Sequence, residues 1–399
     1  MNAVMYGAGN IGRGFITQLF SESGYRTTFI DVVDAVVDAL NEKGEYPLYI
    51  TGENGYEETT VKNVRAVNGR DVEAVADAIA EADIMATAVG VNVLRFIAGP
   101  IAAGVRKRRE LGRGPLNIIV CENKIDANTY LRGLISEHLS EEEREYLFSY
   151  VGFVEASIGR MVPATPAGIK EKQPLAVCVE PYCLLPVDRA AFKGEIPEIR
   201  NMIPFAPFEF YIERKLYMHN MSHAVCAYLG ALAGYEYVWQ AAGDPRVRYI
   251  TLGALMQSAA ALSISHGVDI GQLIDHAFDL LRRYDNKLLG DRLSRVGADT
   301  KRKLSPLDRL PGALKRAKSC GLPYGYISAG VAAGLLFAPE GDTSSLEVSE
   351  FAKENGVAAA LAKYSDITDP ADVERISAIY SALSSDTEKA LGLIIKEKL

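Results

Sequence analysis

Over its first 90 residues the chain alternates short apolar runs with stretches whose apolar positions recur at helical spacing. The run Ala3-Val4-Met5-Tyr6 is continuously apolar, as a strand buried on both faces requires. Residues 15–20 carry helical spacing, residues 21–24 make a turn, and Thr27-Thr28-Phe29-Ile30 reads as a second strand closed by Asp31. Helical spacing returns over 32–40. An alanine-rich helix over 74–82 then leads into the strand and small-residue loop Asp83-Ile84-Met85-Ala86-Thr87-Ala88-Val89-Gly90. Leu116-Asn117-Ile118-Ile119-Val120 is the clearest buried strand, and it ends in Cys121-Glu122-Asn123. Strands alternating with helices predict a parallel, doubly wound α/β sheet, whose ligands lie beyond the carboxyl ends of the strands. The loops at 7–14, 87–90 and 122–123 are therefore expected to share one crevice.

The pattern changes further along. Between 151 and 205 the chain is richer in proline and strand formers, which reads as an extension of the sheet followed by a linker. From about 208 onward helical periodicity dominates, as over 224–233, 247–266, 270–284 and 371–385. The pattern predicts an α/β domain over 1–205 and a mostly α-helical domain over 206–399.

The first loop reads Gly7-Ala8-Gly9-Asn10-Ile11-Gly12-Arg13-Gly14. This is the fingerprint of a Rossmann-type dinucleotide-binding sheet. The first glycine allows the tight turn, the second lets backbone approach a pyrophosphate, and the third lets helix pack on strand. The helix that starts here directs its N–H groups and positive dipole end at the phosphates. Asp31 lies 19 residues beyond Gly12, the offset of a carboxylate that binds the ribose hydroxyls. A carboxylate there repels a 2′-phosphate, so the expected cofactor is NAD. The expected cofactor contacts are Gly7, Ala8, Gly9, Asn10, Ile11, Gly12 and Asp31, with Thr87, Ala88, Val89, Glu122 and Asn123 from the other two loops.

Bulk properties narrow the partners. The chain has 399 residues, enough for two domains with separate cores. Its net charge of −8 argues against a nucleic-acid partner, which calls for a basic face. The run Arg106-Lys107-Arg108-Arg109 follows an Ala/Gly-rich helical stretch and reads as a solvated helix end. The cysteines Cys121, Cys178, Cys183, Cys226 and Cys320 are scattered and lack zinc-site spacing. No metal is expected, and a reducing cytoplasm fits. The chain opens directly on the glycine loop, leaving no room for a signal peptide. Its longest apolar stretch, 326–339, is too short and glycine-rich for a bilayer, so no membrane partner is expected. No heptad seam demands assembly.

Nicotinamide chemistry needs a group that moves the hydroxyl proton and donors that polarise the carbonyl. On an α-helix Lys215, His223 and Asn220 fall at about 0°, 80° and 140°, on one face. Along the axis, however, Lys215 and His223 lie about 12 Å apart. They can meet at one substrate only if Lys215 sits at or before the helix start. A lysine made neutral by burial and nearby positive charge can act as a general base. An asparagine amide can stabilise a developing alkoxide. Spacing alone also fits a polar surface face.

The pattern Lys215-x-x-x-x-Asn220-x-x-His223, some 200 residues after the glycine fingerprint, resembles the polyol-specific long-chain dehydrogenase/reductase (mannitol dehydrogenase) family. Further resemblance lies in 7–15, Thr87-Ala88-Val89-Gly90, 116–123, 208–228, Arg295-Val296, Arg302-Lys303-Leu304 and Asp308-Arg309-Leu310. The resemblance implies metal-independent hydride transfer with Lys215 as general acid/base. It implies that Asn220 and Asn123 polarise the reacting oxygen and that His223 anchors the substrate. Arg160 matches a family arginine and becomes a candidate anion site. Lys301, Arg302 and Lys303 form a basic cluster suited to a substrate phosphate, and a solvated loop explains them equally well.

Departures from the family pattern fall on the substrate wall. Ile158-Gly159-Arg160-Met161 stands where the family has Val-Asp-Arg-Ile, so Gly159 replaces an aspartate. Met221-Ser222 replaces Thr-Gly, His219 replaces an apolar residue, and Asp285-Asn286-Lys287 replaces Glu-Asn-Pro. The expected activity is NAD-dependent interconversion of a sugar-alcohol phosphate and a keto-sugar phosphate, such as mannitol 1-phosphate and fructose 6-phosphate. The alternatives are a keto-uronate reductase, an unphosphorylated-polyol dehydrogenase, or a catalytically inactive nucleotide sensor. In the enzymatic readings the substrate is expected between the two domains.

Overall fold

The computed structural model describes residues 1–52 and 55–396. Contacts divide the chain into two compact units, Met1–Tyr211 and Ile212–Leu399. In the first unit the strands are β1 (Asn2–Tyr6), β2 (Arg26–Asp31), β3 (Glu45–Gly52), β4 (Gly55–Lys62) and β5 (Val64–Asn68). They continue as β6 (Ile84–Thr87), β7 (Leu116–Val120), β8 (Val151–Glu155), β9 (Val177–Val179), β10 (Leu185–Asp188) and β11 (Met202–Phe205).

Six of these strands form one sheet in the order β5-β2-β1-β6-β7-β8, with every pair parallel. This is the strand order of the doubly wound dinucleotide-binding fold, and it reverses direction between β1 and β6. Alternate side chains feed two cores, as the pleat dictates. Ala3, Met5, Phe29, Ala86 and Ile119 pack with Phe15, Ile16 and Leu19 on one face. Val4, Tyr6, Ile30, Met85 and Ile118 pack with Val75, Ile79, Ile97 and Ile101 on the other. A strand that serves both cores has no place for a charged side chain, which is why β1, β6 and β7 read as continuous apolar runs.

The proline-rich stretch does more than extend this sheet. Only β8 joins it, at the edge. β9 pairs parallel with β3 of the antiparallel β3–β4 hairpin, and β10 pairs parallel with β11. Prolines lack the N–H that a long central ladder needs, so these strands stay short.

The basic run at 106–109 is a solvated helix end only in part. Arg106 pairs with Glu143, Lys107 with Asp77 and Arg109 with Glu142, all near the surface. Arg108 is buried. Its guanidinium donates to the carbonyls of Ile79, Ala80, Ala82, Gly114 and Pro115. It thus ties the end of the helix Val72–Glu81 to the approach to β7.

The second unit is helical. Its central helix, Pro245–His266, packs against the helices Met221–Leu232, Ile270–Tyr284, Arg309–Ser319 and Gly325–Leu336. Among the described residues it is also the one helix long and apolar enough to cross a bilayer by length and composition. Half of its apolar window is buried inside the unit, as in the core helix of a globular domain.

Replacing Arg108 with alanine removes the side-chain donor from five carbonyls, those of Ile79, Ala80 and Ala82 in buried contacts. It should destabilise the first unit by about 2–4 kcal/mol. Urea unfolding checks this, and a change within about 0.5 kcal/mol, the usual range for surface substitutions, would mean that the guanidinium is not structural.

Candidate functional site

At the carboxyl end of β1 the chain turns on Gly7, whose φ is +102° and whose N–H bonds to the Ile30 carbonyl at 2.8 Å. A Cβ at Gly7 would press on the Ala88 carbonyl oxygen at 2.6 Å, so the loops after β1 and β6 are in contact. A Cβ at Gly12 would lie 2.0 Å from the Gly7 carbonyl oxygen, so only glycine lets the helix come this close. At Gly9 a Cβ would meet nothing within 4 Å, leaving open space in front of the backbone. The chain is helical from Asn10 to Glu22, and its first N–H groups have no partner within the helix. Asp31 closes β2. Its carboxylate accepts the Ala8 N–H at 2.8 Å and the Val33 N–H at 3.0 Å. A carboxylate offers about four acceptor positions, so ribose hydroxyls can still bond to it. An open glycine cradle, a helix start and an acid at the end of β2 together fit a dinucleotide.

Two residues near this loop take roles the sequence reading did not assign. Glu122 is buried and accepts the Val89 N–H at 2.9 Å and the Gly90 N–H at 2.8 Å. It braces the loop after β6 from a buried position. Arg13, which the sequence reading did not single out, donates to the carbonyls of Ala8 and Leu175 and clamps the glycine loop. Thr87 is buried, the Ala88 N–H bonds to the Tyr6 carbonyl at 2.9 Å, and Asn123 is exposed just beyond the end of β7.

The Arg160 reading is corrected. It is buried, and its guanidinium donates to the Glu180 carbonyl at 2.8 and 3.0 Å. It donates further to the Gly14 carbonyl at 3.0 Å and to Gln18 Oε1 at 2.6 Å. Four of an arginine's five N–H donors are thereby engaged inside the first unit. This is a packing clamp on the fingerprint helix, and the anion-site reading is withdrawn. Nearby, a side chain at Gly159 would meet the Tyr182 ring at 3.4 Å.

In the second unit Lys215, Asn220 and His223 lie on one run of helix whose winding changes. Glu209–Arg214 is α-helical, Lys215–Asn220 is π-helical, and Met221–Leu232 is α-helical again. In α winding, five residues leave Lys215 and Asn220 about 140° apart. In π winding, residues i and i+5 are joined by a backbone hydrogen bond, so their side chains come onto nearly one face. The winding therefore gathers what the α-helical projection spread apart.

Around this segment lies a neutral histidine cluster within positive surroundings. The His223 ring stacks on Tyr284 with centroids 5.0 Å apart and planes 12° from parallel. Its Nε2 lies 3.7 Å from Asp291 Oδ2, and the His219 ring lies 6.1 Å away. Burial, then Arg295, Arg283, Lys303 and Arg309, push His223 down to about 3. Burial, then Arg283, His223, His276 and Lys215, hold His219 well below the ordinary histidine range. Burial, then Arg214 and Arg283, do the same to His276.

The expected basic cluster at 301–303 does not converge. Lys301 reaches Glu347 at 2.8 Å, and Arg302 reaches Asp299 at 2.7 Å, both near the surface. Lys303 turns inward and donates to the Val296 carbonyl at 2.6 Å and to the Ala298 carbonyl. Burial, then Arg309 and Arg302, bring Lys303 down to about 7. The three side chains do not meet at one place, and of them Lys303 belongs to the His223 surroundings. The sequence reading missed Arg283 and Arg309 as part of those surroundings. The signal for Arg309 was present, in the Asp308-Arg309-Leu310 stretch. Among the described residues no group of three or more His, Cys, Asp or Glu is placed to hold a metal.

A dinucleotide-binding sheet followed by a helical unit that carries a lysine, an asparagine and a histidine defines the two-unit dehydrogenase class. The family descriptions "Mannitol dehydrogenase Rossmann domain" and "Mannitol dehydrogenase C-terminal domain" match residues 1–201 and 208–384. The chain belongs to the mannitol dehydrogenase family. It is 40% identical over 356 residues to a mannitol-1-phosphate 5-dehydrogenase of Brevibacillus brevis, covering 89% of this chain and 91% of that protein. The fold matches Pseudomonas fluorescens mannitol 2-dehydrogenase with a TM-score of 0.74 at 17% identity, over 100% of this chain and 94% of that one. It matches a D-sorbitol dehydrogenase with a TM-score of 0.82 at 16% identity, over 98% and 94%.

The depressed histidines set a pH dependence. Below the ordinary value of about 6.5 the unfolded chain binds protons that these buried rings refuse, so stability falls as pH drops from about 6.5 toward 3. For His223 the loss should be on the order of 2 kcal/mol between pH 6.5 and 5. Urea unfolding at the two pH values checks the slope, and His219→Leu should reduce it. NMR signals of His219, His223 or His276 that titrate near 6.5 would contradict it.

Proposed function

We propose that this chain is an NAD-dependent dehydrogenase that interconverts a sugar-alcohol phosphate and a keto-sugar phosphate, with mannitol 1-phosphate and fructose 6-phosphate as the pair. The observation that carries the reading is the 40% identity, over both units, to a protein named mannitol-1-phosphate 5-dehydrogenase. Arg309, paired with Asp308 and set in the surroundings of His223, is the candidate to take a substrate phosphate.

The glycine loop 7–12 would hold the pyrophosphate of NAD, and Asp31 would take its ribose hydroxyls. Bound NAD supplies the hydride acceptor for alcohol oxidation and, reduced, the donor for the reverse direction. Lys215 in its neutral form takes the proton of the hydroxyl being oxidised, and its ammonium form returns that proton in reduction. The Asn220 amide donates a hydrogen bond to the reacting oxygen as negative charge develops there. His223 stays neutral at physiological pH and presents a ring nitrogen to a substrate hydroxyl. No residue here requires a metal for the proton transfer. We further propose a monomer that works in a reducing compartment, in keeping with five free thiols.

Lys215→Ala should lower kcat by about 10²–10⁴-fold, the usual contribution of a general acid/base, and leave NADH affinity unchanged. Arg309→Ala should raise KM for fructose 6-phosphate, whereas the exposed Lys301→Ala should leave it unchanged. Coupled NADH oxidation with fructose 6-phosphate, fructose, tagaturonate and fructuronate in parallel provides the measurement. Turnover on a uronate alone would move Arg309 to a carboxylate substrate, and NADH binding without turnover on any sugar would replace the enzyme reading with a sensor.

A further inference from the structure

The π-helical segment Lys215–Asn220 carries the proposed proton-handling residue at one end and the alkoxide donor at the other. Such a segment is unstable by itself. Where i→i+5 bonding returns to i→i+4, backbone donors and acceptors no longer match one to one and a carbonyl is skipped. A skipped carbonyl in a buried helix needs another donor. Three side-chain hydroxyls converge on consecutive carbonyls at this place. Ser258, from the central helix Pro245–His266, donates to the Tyr217 carbonyl at 2.7 Å. Ser222 donates to the Met218 carbonyl at 2.7 Å. The Tyr284 hydroxyl, from the end of the helix Ile270–Tyr284, donates toward the His219 carbonyl at 3.2 Å and lies 2.8 Å from Ser222 Oγ. All three residues are buried.

We propose that Ser258, Ser222 and Tyr284 form a hydroxyl clasp that holds the π winding and thereby sets the alignment of Lys215 with Asn220 and His223. The three are positioning residues that act through backbone and need not touch substrate. Tyr284 acts twice, because its ring also stacks on the His223 imidazole. The clasp gives a reason for Ser222, which stands where the family pattern has glycine. A glycine there has no hydroxyl to donate to Met218 or to pair with the Tyr284 hydroxyl. The catalytic part of this inference rests on the proposed roles of Lys215 and Asn220. The structural part rests on the hydrogen bonds alone.

The test compares the full-length wild type with Tyr284→Phe and Ser258→Ala. Tyr284→Phe keeps the ring on His223 and removes only the hydroxyl, and Ser258→Ala is the substitute should the first not fold. Two quantities are read. The first is hydrogen–deuterium exchange of peptides spanning 212–224, and the second is kcat with KM for NADH. The expected result is faster exchange confined to that stretch and a kcat about 10- to 100-fold lower, the scale of a small misplacement of reacting groups. KM for NADH should be unchanged, because the glycine loop lies in the other unit. Unchanged exchange overturns the clasp. Faster exchange with unchanged kcat overturns its role in alignment, as does a fall in kcat matched by lost NADH binding. A wild type inactive on fructose 6-phosphate refutes the substrate reading, and the exchange measurement still decides the clasp.

Discussion

On the proposed mechanism Lys215 and Asn220 face one reacting carbon, and α winding would turn groups five residues apart about 140° away from each other. The π winding over Lys215–Asn220 resolves that conflict. It does so at the expense of regular backbone pairing, so it depends on neighbours that can supply donors. Those neighbours come from the helix that continues the segment, from the central helix Pro245–His266, and from the end of the helix Ile270–Tyr284. The packing of the second unit and the placement of its polar residues are thus one problem. A side chain lost from the clasp is felt at the lysine through backbone, with no contact to a ligand.

The first unit meets a comparable demand by removing side chains. The fingerprint helix approaches β1 closely enough that a Cβ at Gly12 would lie 2.0 Å from the Gly7 carbonyl oxygen. Buried charges then lock the loops around that approach. Arg160 and Arg13 bind carbonyls around the helix, and Glu122 binds two N–H groups of the loop after β6. Each of these charged groups is hydrogen-bonded to backbone, which is what makes its burial tolerable. Polar residues near a site therefore divide into those that face a ligand and those that hold the walls. Only geometry separates the two.

That division explains what was legible in the sequence. The strands β1, β2, β6 and β7 and the glycine turn follow from apolar runs and from φ requirements, which are local properties. The helical second unit follows from periodicity. The π winding does not, because the Ser258 and Tyr284 hydroxyls that meet its carbonyls lie far from Lys215 along the chain. Arg108 and Arg160 look like surface or ligand-binding arginines until their carbonyl partners are known, and those partners come from distant segments. Lys301, Arg302 and Lys303 are adjacent in sequence, yet a short helix points them in different directions toward Glu347, Asp299 and the Val296 carbonyl. The strands β9 to β11 escaped because proline-rich segments pair with whatever edge is available.

The central claim is that the Lys215 amine itself moves the proton. Chemical rescue of Lys215→Ala by small primary amines tests it most directly. The account predicts that added amine restores turnover in proportion to its free-base concentration, with a rate that rises with amine basicity and no effect on the wild type. No recovery at any amine concentration, in a folded variant that still binds NADH, would contradict it.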